Sequence, residues 1–143
     1  MPYEFLEDVA TADIAFRAWG KDLEETFRAA ADATMNVMIE NLDSIRPKEE
    51  RSLRLENEAL DMLLFNFLQE LIYFKDSEKL LLRIKDIRID QASNISSLYA
   101  TTHGETLDPA VHQQRVDVKA VTLHRFALEH NPDGWQAEVI LDI

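Results

Sequence analysis

Asp133-Gly134-Trp135-Gln136-Ala137-Glu138-Val139-Ile140-Leu141-Asp142-Ile143 is the stretch on which the fold turns. Trp135, Ala137, Val139, Leu141 and Ile143 alternate with Gln136, Glu138, Ile140 and Asp142, the period of two that marks a half-buried β-strand. Just upstream, Asn131-Pro132-Asp133-Gly134 reads as a hairpin turn, because Pro presets φ and Gly accepts a positive one. A strand here sets the Asp142 carboxylate beside the terminal carboxylate of Ile143. Like charges so placed repel unless a cation lies between or opposite them. The pattern therefore invites a metal ion, with a further ligand supplied from elsewhere in the chain.

The opposite end of the sequence supplies a candidate. Ala12, Ile14, Phe16 and Ala18 alternate with Asp13, Ala15, Arg17 and Trp19, which predicts a strand with Asp13 at its start and Gly20 at its end. If the first and last strands are neighbours, Asp13 and Asp142 reach one edge together. Two carboxylates with a main-chain or terminal oxygen of Ile143 form a hard-oxygen site suited to Ca²⁺ or Mg²⁺. The residues alone leave a second reading open, two solvated acids on an acidic surface.

Between these strands the pattern predicts two helices. Asp22 is a good N-cap, with Glu25 completing a capping box. Leu23, Phe27, Ala31, Met35, Met38, Ile39 and Leu42 then recur at helical spacing to about Glu40. Leu53 and Leu55 mark a short strand at 51–57. Asn57 is read as the cap of a second helix from Glu58 to about Lys75, lined by Leu60, Leu64, Phe67, Leu68 and Leu71. Beyond it, strands are expected at 80–90, with a phase break near Asp86, and at 95–102. A loop follows at 103–109, then a long strand at 116–129 kinked near Ala120 and Arg125. The sum is α+β: two helices packed on a mixed, largely antiparallel β-sheet, with a faint internal β-α-β duplication and a single domain over residues 1–143.

Composition narrows the function. The 143 residues include 27 Asp and Glu against 15 Lys and Arg, a net charge of −12, the wrong balance for a protein that itself grips phosphate. There is no Cys, so thiolate zinc sites and cysteine nucleophiles are excluded. No signal peptide and no apolar run long enough for a bilayer are seen, so a cytoplasmic location is expected. The three glycines form no phosphate-cradling motif. Two other groups draw notice. His103, Glu105, Asp108 and His112 form a His/acid cluster, read either as metal ligands or as a hydrogen-bonded loop. Lys119, with His124 nearby, reads either as a buried nucleophile or as a solvent-facing lysine on an open sheet.

The chain resembles the archease family. The resemblance is carried by Tyr3-Glu4-Phe5-Leu6-Glu7, Thr11-Ala12-Asp13, Arg17-Ala18-Trp19-Gly20 and Leu23-Glu24-Glu25, then Leu63-Leu64-Phe65-Asn66-Phe67-Leu68-Gln69-Glu70-Leu71 and Gly104-Glu105 with His112. Val118-Lys119-Ala120-Val121-Thr122-Leu123-His124 and the closing Asp133–Ile143 stretch complete it. The family usually carries Glu-His-Thr-Ala-Asp near its start. Here the run is Glu7-Asp8-Val9-Ala10-Thr11-Ala12-Asp13, longer and without the His, and Asn66 stands where an acid is common. The resemblance implies a non-catalytic activator of an RtcB-type tRNA-splicing RNA ligase, promoting its guanylylation and multiple turnover and altering its choice of NTP. It also implies that Asp13, Asp142 and the Ile143 main chain hold a divalent cation, Ca²⁺ foremost, with Mg²⁺ or Mn²⁺ as alternatives. A general chaperone or modulator of DNA- or RNA-processing proteins is the alternative. Neither direct nucleic-acid binding nor a membrane partner is expected.

Overall fold

The computed structural model describes residues 2–6 and 13–143. In chain order these form β1 (Tyr3–Leu6), β2 (Asp13–Gly20), α1 (Leu23–Met38), a 3-10 turn (Leu42–Ser44), β3 (Glu49–Asn57), α2 (Leu60–Glu78), β4 (Leu80–Gln91), β5 (Ser96–Thr106), β6 (Ala120–Val121), β7 (Ala127–Asn131) and β8 (Gly134–Asp142). β2 starts at Asp13 and ends at Gly20 as expected, while Ala12, read as part of its alternation, lies with the rest of 7–12 outside the described residues.

α1 begins as the sequence requires. Asp22 accepts the Glu25 N–H at 2.8 Å, while the Glu25 carboxylate returns to the Lys21 N–H at 2.7 Å. Ala29, Ala30, Ala31 and Ala33 are buried, and their short side chains let the helix lie close to β2 and β4. α2 differs in detail. Asn57 accepts the Ala59 N–H, but the helix starts at Leu60 and runs on to Glu78, ending at Lys79 with φ 53°. Leu63, Leu64, Phe67, Leu68 and Leu71 are fully buried, each contributing roughly 2 kcal/mol of apolar transfer.

The α+β class holds, but the strands divide into two sheets, and every pairing among the described residues is antiparallel. In the five-stranded sheet the order is β1-β2-β8-β6, with β7 also on β8; in the three-stranded sheet it is β3-β5-β4. α2 carries the chain from β3 to β4, which flank β5 on either side. The break foreseen near Asp86 is a register shift between Ile84 and Asp86. One buried cluster joins residues of both sheets and both helices, from Phe16 and Phe27 to Phe67, Leu82, Leu98 and Leu141.

Two expectations need correction. The stretch 103–109 is not all loop: β5 continues to Thr106, because Gly104 serves close strand packing rather than a turn. Residues 116–129 are not one strand. Only Ala120–Val121 pair there, a turn follows in which Phe126 N–H reaches the Leu123 carbonyl and Arg125 adopts φ 55°, and pairing resumes at Ala127.

Candidate metal centre

β2 and β8 lie side by side, and their register sets Asp13 directly opposite Asp142. Directly opposed residues of an antiparallel pair share a face of the sheet, with Cβ atoms about 5 Å apart. On the far side of β8, Asp142 is paired with Ala120 of β6, and its carbonyl accepts the Lys119 N–H at 2.8 Å. Asp13, Asp142 and Ile143 are all partly buried. Alternation carries the same face from the Asp13–Asp142 row through Ala15–Ile140 to Arg17–Glu138.

The two charged rows of that face are built differently. In one, Arg17 stands between acids, bonding Glu4 at 3.1 Å and Glu138 at 3.4 Å, and Arg125 adds a second cation to Glu138 at 3.5 Å. Ala15 and Ile140 beyond it are buried. In the other row two carboxylates face one another. Among the described residues, no Lys, Arg or His forms an ion pair with either Asp13 or Asp142. The segment 7–12, Glu-Asp-Val-Ala-Thr-Ala, contains none of those residue types. Like charges directly opposite destabilise a ladder, so this row fits a cation held by oxygen. Among the described residues no group of three or more His, Cys, Asp and Glu is arranged to hold a metal. Beside Asp13 and Asp142, the adjacent Ile143 main chain could offer an oxygen, and water could offer others. That donor set suits a hard, oxygen-seeking ion rather than zinc or copper.

The other candidates are placed elsewhere. Glu105 and His112 do meet, at 2.8 Å, both buried, but as a staple. His112 Nδ1 accepts the Asp108 N–H at 2.9 Å, so in the neutral ring the proton sits on Nε2 and is donated to Glu105. Arg46 supplies its backbone N–H at 2.8 Å and its guanidinium at 3.0 Å to the same carboxylate. A cation there would have to displace both partners. Arg46 hydrogen bonding holds the Glu105 carboxyl at about 2 against the opposing effect of burial, with His112 assisting. His103 sits apart on β5, opposite Glu50 and Arg83. Lys119 and His124 are exposed, which removes the buried-nucleophile reading.

The staple yields a prediction. Glu105→Gln keeps the shape but loses the charge-assisted bonds, at an expected cost of about 2 kcal/mol at neutral pH. Because the folded carboxyl titrates near 2 rather than 4.5, its contribution is complete above the ordinary value and fades as pH falls toward 2. Urea unfolding of both proteins from pH 7 to pH 2 should show the two curves converging only in that acid window.

A cleft of about 580 Å³ opens at the other end of the same strands, lined by Trp19, Lys21, Arg28, Asp32 and Trp135. It lies roughly 24 Å along the ladder from Asp13 and Asp142. Its Arg28 is bound to the Ile84 and Lys85 carbonyls and its Asp32 to Arg83, so these walls are already engaged.

Sequence reasoning missed the α2 residues that hold the segment pairing with the end of β8. Lys75, which the pattern sets at the end of the second helix, is buried and bonds Asp117 at 2.6 Å and the Val118 carbonyl at 2.7 Å. Gln69 accepts the Val121 N–H at 2.8 Å. The signal was present: Lys75 stands four residues after Leu71 on the buried stripe, a position where a lysine needs a partner.

A small α+β protein with an acidic pair across its central strands, and no phosphate cradle in its sequence, is thus defined by its own geometry. Residues 3–143 match the Archease protein family (MTH1598/TM1083). Protein archease of Pyrococcus abyssi is 40% identical over 134 residues, covering 93% of this chain and 94% of that protein. Protein archease of Methanosarcina acetivorans is 35% identical over 144 residues, covering 99% and 95%. The solution structure of Methanobacterium thermoautotrophicum protein 1598 superposes with a TM-score of 0.84 at 34% identity, covering 99% of each chain. An archease from Thermotoga maritima, described as a possible chaperone, shares the fold with a TM-score of 0.60 at 20% identity, covering 98% of each chain. The chain belongs to the archease family. Among the described residues no helix is long and apolar enough to cross a membrane.

Proposed function

We propose that this protein is a non-catalytic activator of an RtcB-type RNA ligase, acting in tRNA exon ligation through a divalent cation held by Asp13, Asp142 and the Ile143 main chain. The observation that carries the reading is the register that sets Asp13 opposite Asp142 without a cationic side chain among the described residues. Bound there, Ca²⁺, Mg²⁺ or Mn²⁺ would neutralise the row and offer positive charge to the phosphates handled by the partner. The chain's own residues hold and orient: β2 and β8 fix the two carboxylates, Ile140 and Ala15 wall off one side, and β6 fixes the other edge of β8.

Charge favours such a partner. At −12 the protein does not suit RNA, yet complements an enzyme whose surface is basic because it binds RNA, and opposite charge speeds encounter. The cytoplasm, where that ligase works, is the compartment this reading implies. The test compares single-turnover with multiple-turnover ligation by the partner ligase, with GTP and metal, at substoichiometric amounts of this protein. Turnovers per ligase should rise severalfold, with no ligation by this protein alone; an unchanged number of turnovers rejects the activator. The description of the Thermotoga relative as a possible chaperone favours the second reading, a general modulator of nucleic-acid-processing proteins. Metal-independent suppression of aggregation of unrelated clients would bring that reading forward.

A further inference from the structure

The carboxylate row has a third strand, and that strand is too short to place itself. β6 pairs only Ala120 with Asp142 and Val121 with Leu141. Its position is instead fixed from α2 by two side chains six residues apart. Lys75 Nζ donates to the Val118 carbonyl at 2.7 Å and to Asp117 Oδ1 at 2.6 Å, just before β6; Gln69 Oε1 accepts the Val121 N–H at 2.8 Å, at its end. Between these two grips, the Lys119 N–H reaches the Asp142 carbonyl at 2.8 Å, and Thr122 N–H follows to Ile140 at 3.0 Å. A continuous run of bonds therefore joins α2 to the backbone of Asp142.

Lys75 is 8% exposed. Buried charges seldom repay their desolvation, so stability alone is a weak reason for an ammonium in that place. What an ammonium adds is direction: three donors aimed at fixed acceptors. Burial pulls its pKa down, bonds to Asp117 and Asp76 push it up, and the balance is raised, so the group remains a cation.

We propose that Lys75 and Gln69 are positioning residues for the Asp13–Asp142 cation site, setting the place of β6 and hence of the Asp142 carboxylate opposite Asp13. The inference rests on the cation reading of that pair. Partners behind the ligands of a metal site commonly govern affinity by about 10-fold or more, and an effect of that size is expected here.

The test is calorimetric titration of the full chain with Ca²⁺, Mg²⁺ and Mn²⁺ in turn. Lys75→Met and Gln69→Leu should each weaken binding about 10-fold. Gln69→Glu, which keeps an acceptor oxygen for the Val121 N–H, should restore binding close to that of the parent. Leu53→Ala, in the other sheet, should lower thermal stability without changing the affinity, which separates positioning from mere loss of stability. If Lys75→Met fails to fold, the comparison of Gln69→Leu with Gln69→Glu decides alone. Equal affinities across the Gln69 pair overturn the positioning role while leaving the cation site intact. A parent protein that binds no Ca²⁺, Mg²⁺ or Mn²⁺ overturns the cation reading and the positioning role with it.

Discussion

Gly104→Ala leaves little or no folded protein. Gly104 lies in β5, paired across to Leu82, and a Cβ built on it falls 1.6 Å from the Leu81 carbonyl oxygen and 2.7 Å from the Leu81 carbonyl carbon. Both are backbone atoms of an adjoining strand and cannot swing aside. Relief requires β4 and β5 to part at a point where Leu80, Leu81 and Leu82 are all buried and the Gly104 carbonyl also receives the Lys48 N–H. Overpacking of a compliant core costs about 1–3 kcal/mol; here the obstacle is main chain, and a loss of about 5 kcal/mol, comparable to the whole stability of a marginal domain, is expected. Circular dichroism and thermal melts check it. A variant melting within a few degrees of the parent would mean that the two strands do not approach as closely as described.

Asp13→Asn separates stability from function in the opposite sense. Without metal, removing one of two opposed carboxylates relieves repulsion, so the variant in EDTA should be as stable as the parent or about 0.5–1 kcal/mol more stable. With Ca²⁺ the order reverses. At a concentration 100 times the dissociation constant, the parent gains about 2.7 kcal/mol by mass action. Asp13→Asn should gain almost nothing, and so should Asp142→Asn. Multiple-turnover ligation should fall to the level of ligase alone with both. Melts with Ca²⁺ and with EDTA, run beside the ligation assay, read all three effects. Equal stabilisation of parent and variants by Ca²⁺ would place the ion elsewhere.

The sequence made the ends of this molecule legible and blurred its middle. Alternation in 133–143, with a turn that has a mechanical cause, located β8, and the acids at the start of β2 and the end of β8 gave the pair. The capping of α1 by Asp22 and the bulge after Ile84 were readable for similar reasons: each rests on local chemistry or a break in phase. What failed was inference about segments whose conformation is set from outside. In 116–129 apolar residues alternate well enough for a strand, yet the backbone groups of 118 and 121 are claimed by α2 and Arg125 turns the chain. The phase changes noted near Ala120 and Arg125 were the trace of that interruption. The stretch around Gly104 reads as a loop because proximity to another backbone leaves no mark in a one-dimensional pattern. The His/acid cluster illustrates the same limit, since Arg46, which decides its character, comes from the connection before β3.

The central position of β8 also fixes when the molecule can be completed. All three strands that pair with it, β2, β6 and β7, precede it in the chain, and pairing β2 with β8 brings residue 13 against residue 142. Closing so large a loop is entropically slow, whereas β4 and β5 are joined by a short connection and can zip early. The helices and the three-stranded sheet can therefore gather first, with the acidic row still unmade. An ion that recognises Asp13 and Asp142 together recognises only the finished chain. It would act on the rate of unfolding rather than of folding, holding shut the last seam to form.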